Sequence, residues 1–545
     1  MVGYRVMRCG YRGEPMHGRR RWNNDHTKSH VGFSAFLTPH VVPWRPWLRR
    51  GECGVIRFGV SGTDGAARIA VIGGGAAGAA VVGEFLRRGR LACELVWLTG
   101  RSAPGRGVAY ATNNAMHLLN VRAANMGLFA DDAGALLRFL EARCTPALPG
   151  DFLPRAAFGD YVEATLAQLM ASGGVRLELQ ACEAVAIERG TAGGYCIATD
   201  QGTRIAVDGV VLAIGALPPV PIAEVDAEAI ASGRYLPDPW KAPLLERAPQ
   251  EIAVLGSGLT AVDAILSAAT SWPDARIVAL SRHGCLPAAH GAAPAKPYAH
   301  QAQLIEDMKT APSIRRWVGM VRESLQDDAP DWRSLVDGLR PVTVELWRCL
   351  DVTQRRRFLR HVRWAWEAAR HRMAPQTARI VERLQDEGRL RVVAGRVRRI
   401  EGSARLSMTY RRRDDGTTRQ LDVDLAIQAT GLQTAVQRTS HRLLRQMFES
   451  RLVRADRQGL GIDADTAGRI MRADGTAETG MRVIGTLLRG ALWECTALPE
   501  IRTMAAKFAR ELPLELGHAR KAAGAANFDN DAGAHIDMAI RQFGV

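Results

Sequence analysis

Two glycine-rich turns, each placed between a short apolar run and a helix-like stretch, constrain the fold of this chain more than any other feature. The first turn, Gly73-Gly-Gly-Ala-Ala-Gly78, follows the apolar run 68–72. The second, Gly256-Ser-Gly-Leu-Thr-Ala261, follows the apolar run 251–255. Strand, glycine turn and helix in that order open a βαβ unit, and the recurrence of the pattern is an internal repeat. The sequence therefore predicts an α/β fold with two Rossmann-like dinucleotide-binding domains.

The spacing of the first turn predicts a site for a dinucleotide. In such a turn Gly73 makes the sharp bend, Gly75 lets the backbone approach a pyrophosphate, and Gly78 lets helix and strand pack closely. The helix that follows offers free N–H groups and a partial positive charge to the phosphates. At the end of the next strand, where an acidic residue usually binds the ribose, this chain has Thr99, whose hydroxyl can still form a hydrogen bond.

The second turn differs from the first in ways that favour NADPH. Its glycines are Gly256 and Gly258, and Ala261 occupies the third position. The following strand ends in Ser281 and Arg282 rather than in an acid. A carboxylate there would repel a 2′-phosphate, whereas serine and arginine can bind it, so NADPH is favoured over NADH. A solvated arginine in a surface turn is the alternative.

Composition restricts the class of protein. The 545 residues are enough for two or three domains, and the hydrophobic fraction of 47% with 23% charged residues is ordinary for a globular protein. No run approaches the roughly 18–20 apolar residues of a membrane span, which predicts no transmembrane helix and no membrane partner. The net charge is +16, and residues 1–67 contribute eleven basic side chains against four acidic ones. Because no nucleic-acid-binding module accompanies this charge, we expect no nucleic-acid partner.

The cysteines are nine in number and dispersed, and they form neither a CxxC pair nor a cluster with zinc spacing. An odd, scattered set fits free thiols in a reducing compartment, so we expect a cytoplasmic protein without a metal site. The same pattern argues against a flavin-linked disulfide reductase, which needs two adjacent thiols.

Five longer motifs resemble a known family. They are 105–112, 117–126, 152–161, 235–240 and 489–502. Over about residues 68–512 the chain resembles bacterial FAD/NAD(P)-binding proteins related to flavin-dependent urate hydroxylases and aspartate N-monooxygenases. The resemblance implies a class B-like flavin monooxygenase architecture, with FAD bound at the first turn and NADPH at the second.

The resemblance also places His117, Asn120 and Met126 near the flavin, although the residues alone leave open that His117 is a satisfied core histidine. Where the family pattern has proline this chain has Arg122, and where an aspartate often follows Gly485 it has a threonine. Arg122 is therefore a candidate for holding an anionic substrate. An arginine bonded to a cofactor phosphate, or simply solvated, is the alternative.

The function that follows is an FAD- and NADPH-dependent oxidoreductase. We expect a monooxygenase that uses O₂ to hydroxylate a small polar or acidic metabolite through a flavin C4a-hydroperoxide, since the flavin carries the difficult chemistry and no catalytic triad or metal is required. The catalytic residues themselves are not identified by the sequence. Two alternatives stay open: a non-oxygenating NAD(P)H-dependent flavin reductase or dehydrogenase, and a redox-sensing flavoprotein with a protein partner.

The predicted organisation has four parts. The predicted segments are a disordered basic segment at 1–67, a discontinuous FAD-binding domain at 68–240 and 441–514, an NAD(P)H-binding domain at 250–440, and a C-terminal tail at 515–545. The second domain carries a helical insertion at about 296–388, rich in arginine and tryptophan. We expect its aromatic side chains to pack inside the insertion and its arginines to be solvated, with a dedicated binding surface as the alternative.

Overall fold

The computed structural model describes residues 55–58, 66–89, 93–101, 103–190, 193–243, 245–327, 331–431, 433 and 436–518. Its first part, up to residue 213, contains eight strands. They are β1 (Val55–Phe58), β2 (Ala67–Ile72), β3 (Cys93–Leu98), β4 (Arg176–Gln180), β5 (Ala184–Arg189), β6 (Tyr195–Thr199), β7 (Arg204–Val207) and β8 (Gly209–Leu212). Strands β5 to β7 form a separate antiparallel sheet of three strands.

Nine further strands follow along the chain. They are β9 (Tyr235–Leu236), β10 (Glu251–Leu255), β11 (Arg276–Ser281), β12 (Leu390–Glu401), β13 (Leu406–Arg412), β14 (Thr418–Val423), β15 (Leu425–Gln428), β16 (Arg469–Met471) and β17 (Ala477–Val483).

Both large sheets have seven strands, of which five neighbouring strands are parallel. The first has the order β1-β4-β3-β2-β8-β17-β16, with β1 and β16 antiparallel at its edges. The second has the order β14-β13-β12-β11-β10-β15-β9, with β13 and β14 antiparallel at one edge. The prediction of two Rossmann-like units in an α/β fold is therefore confirmed.

The helices cover the sheets and form the insertion. Those before the second sheet are α1 (Ala76–Arg88), α2 (Gly107–Tyr110), α3 (Ala135–Glu141), α4 (Arg155–Ala171) and α5 (Ala227–Ala231). Those that follow are α6 (Leu259–Ser271), α7 (Gln301–Thr310), α8 (Ile314–Asp327), α9 (Trp332–Leu339), α10 (Thr343–Cys349), α11 (Val352–Arg357), α12 (Arg363–Arg370), α13 (Pro375–Asp386), α14 (Arg442–Glu449) and α15 (Arg489–Leu492). Residues 498–518 are also helical.

The apolar faces of the first sheet explain its stability. On one face β2 and β3 pack against α1, α4 and the helix at 498–518, with Phe85, Trp97, Phe158 and Phe508 all nearly inaccessible to solvent. The opposite face packs against the three-stranded sheet and α14. Strands buried on both faces read as continuous apolar runs, which is why 68–72 and 210–213 are recognisable in the sequence.

The predicted helical insertion is present as α7 to α13, but its aromatic side chains divide into two groups. Trp317 and Trp347 are buried, and their cluster also includes Leu460 and Trp493 from the C-terminal part of the chain. Trp364, in contrast, is 40% exposed. Trp317 and Trp347 are therefore buried as expected, although partly against residues outside the insertion, and the expectation of internal packing is wrong for Trp364. The expectation of solvated arginines is wrong for Arg372, which is buried.

Two terminal predictions need correction where the structure describes the chain. Residues 55–58 form β1, which pairs with β4, and Ile56 and Phe58 pack against the first core, so these four residues are not disordered. Residues 515–518 belong to the last helix, with Leu516 buried, rather than to a loose tail. The predictions for 1–54, 59–65 and 519–545 lie outside the described residues.

Candidate cofactor site

The first glycine turn is fixed by close backbone packing. Gly73 has a φ of 128°, and a Cβ there would lie 2.2 Å from the carbonyl oxygen of Ala213 at the end of β8. A Cβ at Gly78 would lie 2.0 Å from the Gly73 oxygen. At Gly75 the nearest atom to a Cβ is 3.6 Å away. Gly73 and Gly78 are thus required by the fold itself, while a Cβ at Gly75 would make only an ordinary van der Waals contact with Gly107, so the fold alone does not require glycine there.

The N–H groups that begin α1 are capped by no side chain. Gly75 occupies the N-cap position and supplies no side chain to the free N–H groups of the first turn. That turn also holds no acidic residue, whereas Arg87 and Arg88 end the helix. Because uncapped N–H groups and the helix dipole favour negative charge, this end of α1 fits a pyrophosphate.

A second loop covers the first turn, and sequence spacing did not reveal this role. The N–H of Gly105 donates to the oxygen of Gly74 at 2.7 Å, and a Cβ at Gly107 would come within 2.9 Å of the Gly75 backbone. Arg106 between them forms a hydrogen-bonded ion pair with Glu163 of α4 at 2.8 Å. The covering loop is therefore anchored to the core helix by a nearly buried ion pair.

The second turn repeats the backbone of the first. Gly256 has a φ of 131°, and its Cβ would lie 2.1 Å from the oxygen of Ala429 at the end of β15. Gly258 caps α6 with φ −80° and ψ −175°, against −79° and −176° for Gly75. Ala261 in the third position is completely buried. The chain thus folds the same glycine turn twice, each time at the N-terminus of a helix.

The residues at the two adjacent strand ends have different surroundings. Thr99, after β3, is buried, and its hydroxyl donates to main-chain oxygens of Gly100 and Gln180 at 3.2 and 3.4 Å. Ser281, at the end of β11, accepts the N–H of Gly284 at 3.0 Å. Arg282 is exposed. Both serine and threonine therefore fix their own turns, and the arginine is the group that faces solvent.

His117 joins the first unit to helix α6 of the second. Its Nδ1 hydrogen-bonds Thr112 Oγ1 at 2.7 Å, and its Nε2 hydrogen-bonds Ser267 Oγ at 2.9 Å. Burial lowers the pKa of His117, although the carboxylate of Asp263 opposes this shift. Both ring nitrogens are occupied, so the structure favours the satisfied core histidine that the sequence left open.

An ion pair crosses the same boundary. Arg155 Nη1 of α4 lies 2.8 Å from Asp263 Oδ2 of α6, and both side chains are largely buried. Burial raises the pKa of Asp263, and the positive charge of Arg155 counteracts that rise. The two Rossmann-like units are thus held together by a buried charge pair beside His117.

The other residues expected near the flavin have structural partners as well. The ring of His290 donates from Nε2 to the backbone oxygen of Asn120 at 3.1 Å. Met126 is buried in the first core. Arg122 donates to the backbone oxygens of Gly150 at 2.9 Å and Gly291 at 2.8 Å.

Arg122 is therefore not simply solvated, and its guanidinium is already hydrogen-bonded to the backbone. Its guanidinium also lies 5.1 Å from the centre of the Phe152 ring. With both terminal nitrogens donating to carbonyl oxygens, it links the first unit to the loop after β11. This arrangement gives no support to the expectation that it holds an anionic substrate.

The motif at 489–502 contacts the helical insertion. Trp493 has a φ of 57°, an uncommon value for a bulky side chain, and stacks on Trp347 of the insertion at 5.1 Å. Arg489 forms an ion pair with Glu367 of α12, and Glu494 accepts the indole N–H of Trp366 at 3.1 Å. The long sequence motif therefore docks the helical insertion onto the first unit.

Comparisons with known proteins agree with this geometry. Residues 70–217 match the model of a family described as FAD-NAD(P)-binding. The matched stretch includes the first glycine turn, the covering loop and β8. The prediction of a FAD- and NAD(P)-binding protein is confirmed at this level. A search of the curated proteins by sequence found no match.

Solved structures share the fold over most of the chain. The ornithine N-hydroxylase of Kutzneria sp. 744, with reduced FAD, NADP⁺ and L-ornithine, is 16% identical with a TM-score of 0.58 over 84% of this chain and 100% of its own. The ornithine hydroxylase of Pseudomonas aeruginosa is 14% identical, with a TM-score of 0.55 over 83% and 99%. The L-lysine 6-monooxygenase of Pseudomonas syringae is 16% identical, with a TM-score of 0.53 over 83% and 99%.

Two further findings concern the part of the chain that the structure describes. Within it, no helix has the length and apolar character needed to cross a membrane. Nor do histidine, cysteine, aspartate or glutamate side chains gather there in a group suited to a metal ion.

Proposed function

We propose that this protein is an FAD- and NADPH-dependent monooxygenase acting on a small polar metabolite. The observation that carries the proposal is the repeated glycine turn, built twice with nearly the same dihedral angles in one chain. An oxygenation in which NADPH gives a hydride to a flavin requires one site for the flavin and one for the nicotinamide coenzyme. The fold shared with two ornithine hydroxylases and an L-lysine 6-monooxygenase supports the same reading.

The residues present fit both cofactors. At the first turn, Gly73, Gly75 and the N–H groups that open α1 would hold the FAD pyrophosphate, and Thr99 would accept a ribose hydroxyl. Gly78 keeps strand and helix close enough for that cradle to form. FAD, when bound and reduced by NADPH, is the group that would react with O₂. The chain itself would have to bind and orient the cofactors and the substrate and to exclude water from them.

At the second turn, Gly256, Gly258 and the first N–H groups of α6 would hold the NADPH pyrophosphate. Arg282 would bind the 2′-phosphate, as an exposed cation at the correct strand end. Ala261 packs beneath the turn without touching a ligand. His117 and Arg122 would act as positioning residues that keep the two cofactor units in register.

The substrate class to test first is a primary amine. The three similar structures belong to enzymes named for ornithine and lysine. Aspartate and urate, implied by the sequence resemblance, are the next compounds to test. An acidic substrate held by Arg122 loses support because one N–H of each terminal nitrogen already donates to a carbonyl oxygen, which fixes the guanidinium in place and leaves fewer of its five N–H groups for a ligand.

The cysteines bear on the reductase alternative. Burial raises the pKa of Cys93 and of Cys495 to about 12, so neither is a thiolate at neutral pH. None of the described cysteines forms a disulfide. These observations count against a dithiol-linked reductase, and we propose O₂ as the acceptor of electrons from the reduced flavin.

The test is to supply purified, FAD-loaded protein with NADPH, O₂ and a panel of ornithine, lysine, cadaverine, aspartate and urate. We expect one compound to yield a product one oxygen atom heavier, by mass spectrometry, in proportion to NADPH consumed. The flavin-free variant Gly75→Val is the matched control and should form none. H₂O₂ equal to NADPH consumed for every compound would favour the reductase alternative, and turnover only with a protein present would favour the redox sensor.

A further inference from the structure

An aromatic pair lies directly beyond the end of β11. The imidazole of His283 stacks on the indole of Trp364 with ring centres 4.4 Å apart and planes 10° from parallel. Trp364 belongs to α12 of the helical insertion, and its indole N–H donates to the backbone oxygen of His361 at 3.0 Å. The indole is nevertheless 40% exposed. A large, oriented aromatic surface thus remains open to solvent beside the second cofactor unit.

The turn that carries His283 is held rigidly. The Ser281 hydroxyl accepts the Gly284 N–H at 3.0 Å, and Gly284 has a φ of 59°. A Cβ on Gly284 would lie 2.8 Å from the Cβ of Ala394 in β12. Because the turn is packed against the neighbouring strand, the position of the His283 ring is determined by the sheet and not by the loop alone.

Two arginines flank this aromatic pair. Arg282 precedes His283 directly and is exposed. Arg413, just after β13, is exposed as well, and its backbone N–H donates at 3.0 Å to the oxygen of Ala394, the residue that pairs with Ser281. The arginines therefore come from two neighbouring positions at the same edge of the sheet, although they are 131 residues apart in sequence.

The electrostatics of the pair agree with an anion site. Burial lowers the pKa of His283 to about 4, and the positive charges of Arg413 and Arg282 add to that effect. The imidazole is then neutral at pH 7, so it offers an uncharged stacking surface within a positively charged rim. A purine carrying a phosphate has this combination of a flat aromatic face and a doubly charged anion.

We propose that Trp364, His283, Arg282 and Arg413 form the binding site for the adenosine 2′-phosphate end of the coenzyme. The base would stack on the exposed aromatic pair, and the arginines would bind the phosphate. This inference rests on the proposed use of NADPH and extends it, because it makes the helical insertion part of the coenzyme site. The turn 358–362 that leads into α12 is π-helical, a distortion often found at functional sites.

The experiment measures nucleotide binding to the FAD-loaded protein by calorimetry, without turnover. The probes are adenosine 2′,5′-bisphosphate and 5′-AMP, which differ in the 2′-phosphate. Trp364→Ala should lower the affinity for both nucleotides roughly tenfold, because base stacking is lost. Trp364→Phe should recover most of that affinity. Arg413→Ala should weaken only the bisphosphate, again roughly tenfold.

Arg445→Ala, an exposed residue on helix α14 of the first unit, is the matched control and should change neither affinity. Wild-type binding of the bisphosphate with no loss in Trp364→Ala and Arg413→Ala would overturn the inference while leaving the proposed function intact. Failure of the wild type to bind either nucleotide, with FAD retained, would overturn both. Should Trp364→Ala not fold, the exposed Arg413 variant still decides the question.

Discussion

The two glycine turns share a backbone but differ in what covers them. Over the first, the loop containing Gly105 and Gly107 lies against the backbone of Gly74 and Gly75. Over the second, a Cβ at Gly258 would meet no heavy atom of the described residues within 4 Å. The first turn is thus covered and the second is open at Gly258, as we would expect if, under the proposed function, the first held a cofactor that stays bound and the second a coenzyme that leaves after each turnover.

The covering loop shows how the enclosure is maintained. Its ion pair between Arg106 and Glu163 is nearly buried, and such pairs hold position well when their hydrogen bonds are complete. Near the second turn the arginine in question, Arg282, is exposed to solvent. Because the two turns share a backbone, we expect any difference in how readily they release a ligand to come from their surroundings and not from the turn itself.

The largest expected effect comes from filling the space above one turn at a time. Gly75→Val has room for its Cβ, so the protein should fold but be isolated without flavin, because the side chain occupies the pyrophosphate position. Gly258→Val should keep FAD and lose NADPH binding. Absorbance of the purified proteins near ~450 nm and NADPH titration measure the two outcomes. A Gly75→Val protein with full flavin content would contradict the assignment of the first site.

The next largest effect concerns the boundary between the two units. Arg155→Met leaves the carboxylate of Asp263 buried without its partner, which typically costs about 3–5 kcal/mol. We expect a corresponding loss in the free energy of unfolding, measured by urea titration. The double variant Arg155→Met with Asp263→Leu should recover part of the loss. If the single variant is as stable as the wild type, the ion pair does not hold the units together.

A smaller effect is expected in coenzyme choice at the open turn. Arg282→Ala should narrow the preference for NADPH over NADH by roughly ten- to a hundred-fold, the value of one charge-assisted contact to phosphate. The measurement is the ratio of kcat/KM for flavin reduction by each coenzyme, with Arg445→Ala as the control. A wild-type protein that uses both coenzymes equally would show that the 2′-phosphate is not recognised here.

The smallest effect is a pH dependence of stability at the boundary. The pKa of His117 is lower in the folded protein than its ordinary value near 6.5, so the unfolded chain takes up a proton that the folded one does not. The free energy of unfolding should therefore fall as the pH drops below about 6.5. His117→Gln should reduce that slope by at most about 1.4 kcal/mol per pH unit. The exposed His361→Gln is the control, and equal slopes in both variants would exclude a contribution from His117.

The fold could be predicted because its signals are local. Each parallel strand is a short apolar run, and each turn is recognisable in the sequence by glycines at fixed spacing between strand and helix. The same locality explains the errors at the termini. Residues 55–58 become a strand only because β4 offers a free edge, and nothing in their own pattern distinguishes them from the preceding segment.

The surroundings of the site were decided by tertiary structure alone. Arg122 meets Gly291, 169 residues away, and His117 meets Ser267, 150 residues away. No periodicity carries information about such partners, because they depend on how two sheets and an insertion pack. The sequence by itself determined that this chain builds two dinucleotide turns. Packing decided which turn is covered, since enclosure is a property of distant residues brought into contact and not of the turn.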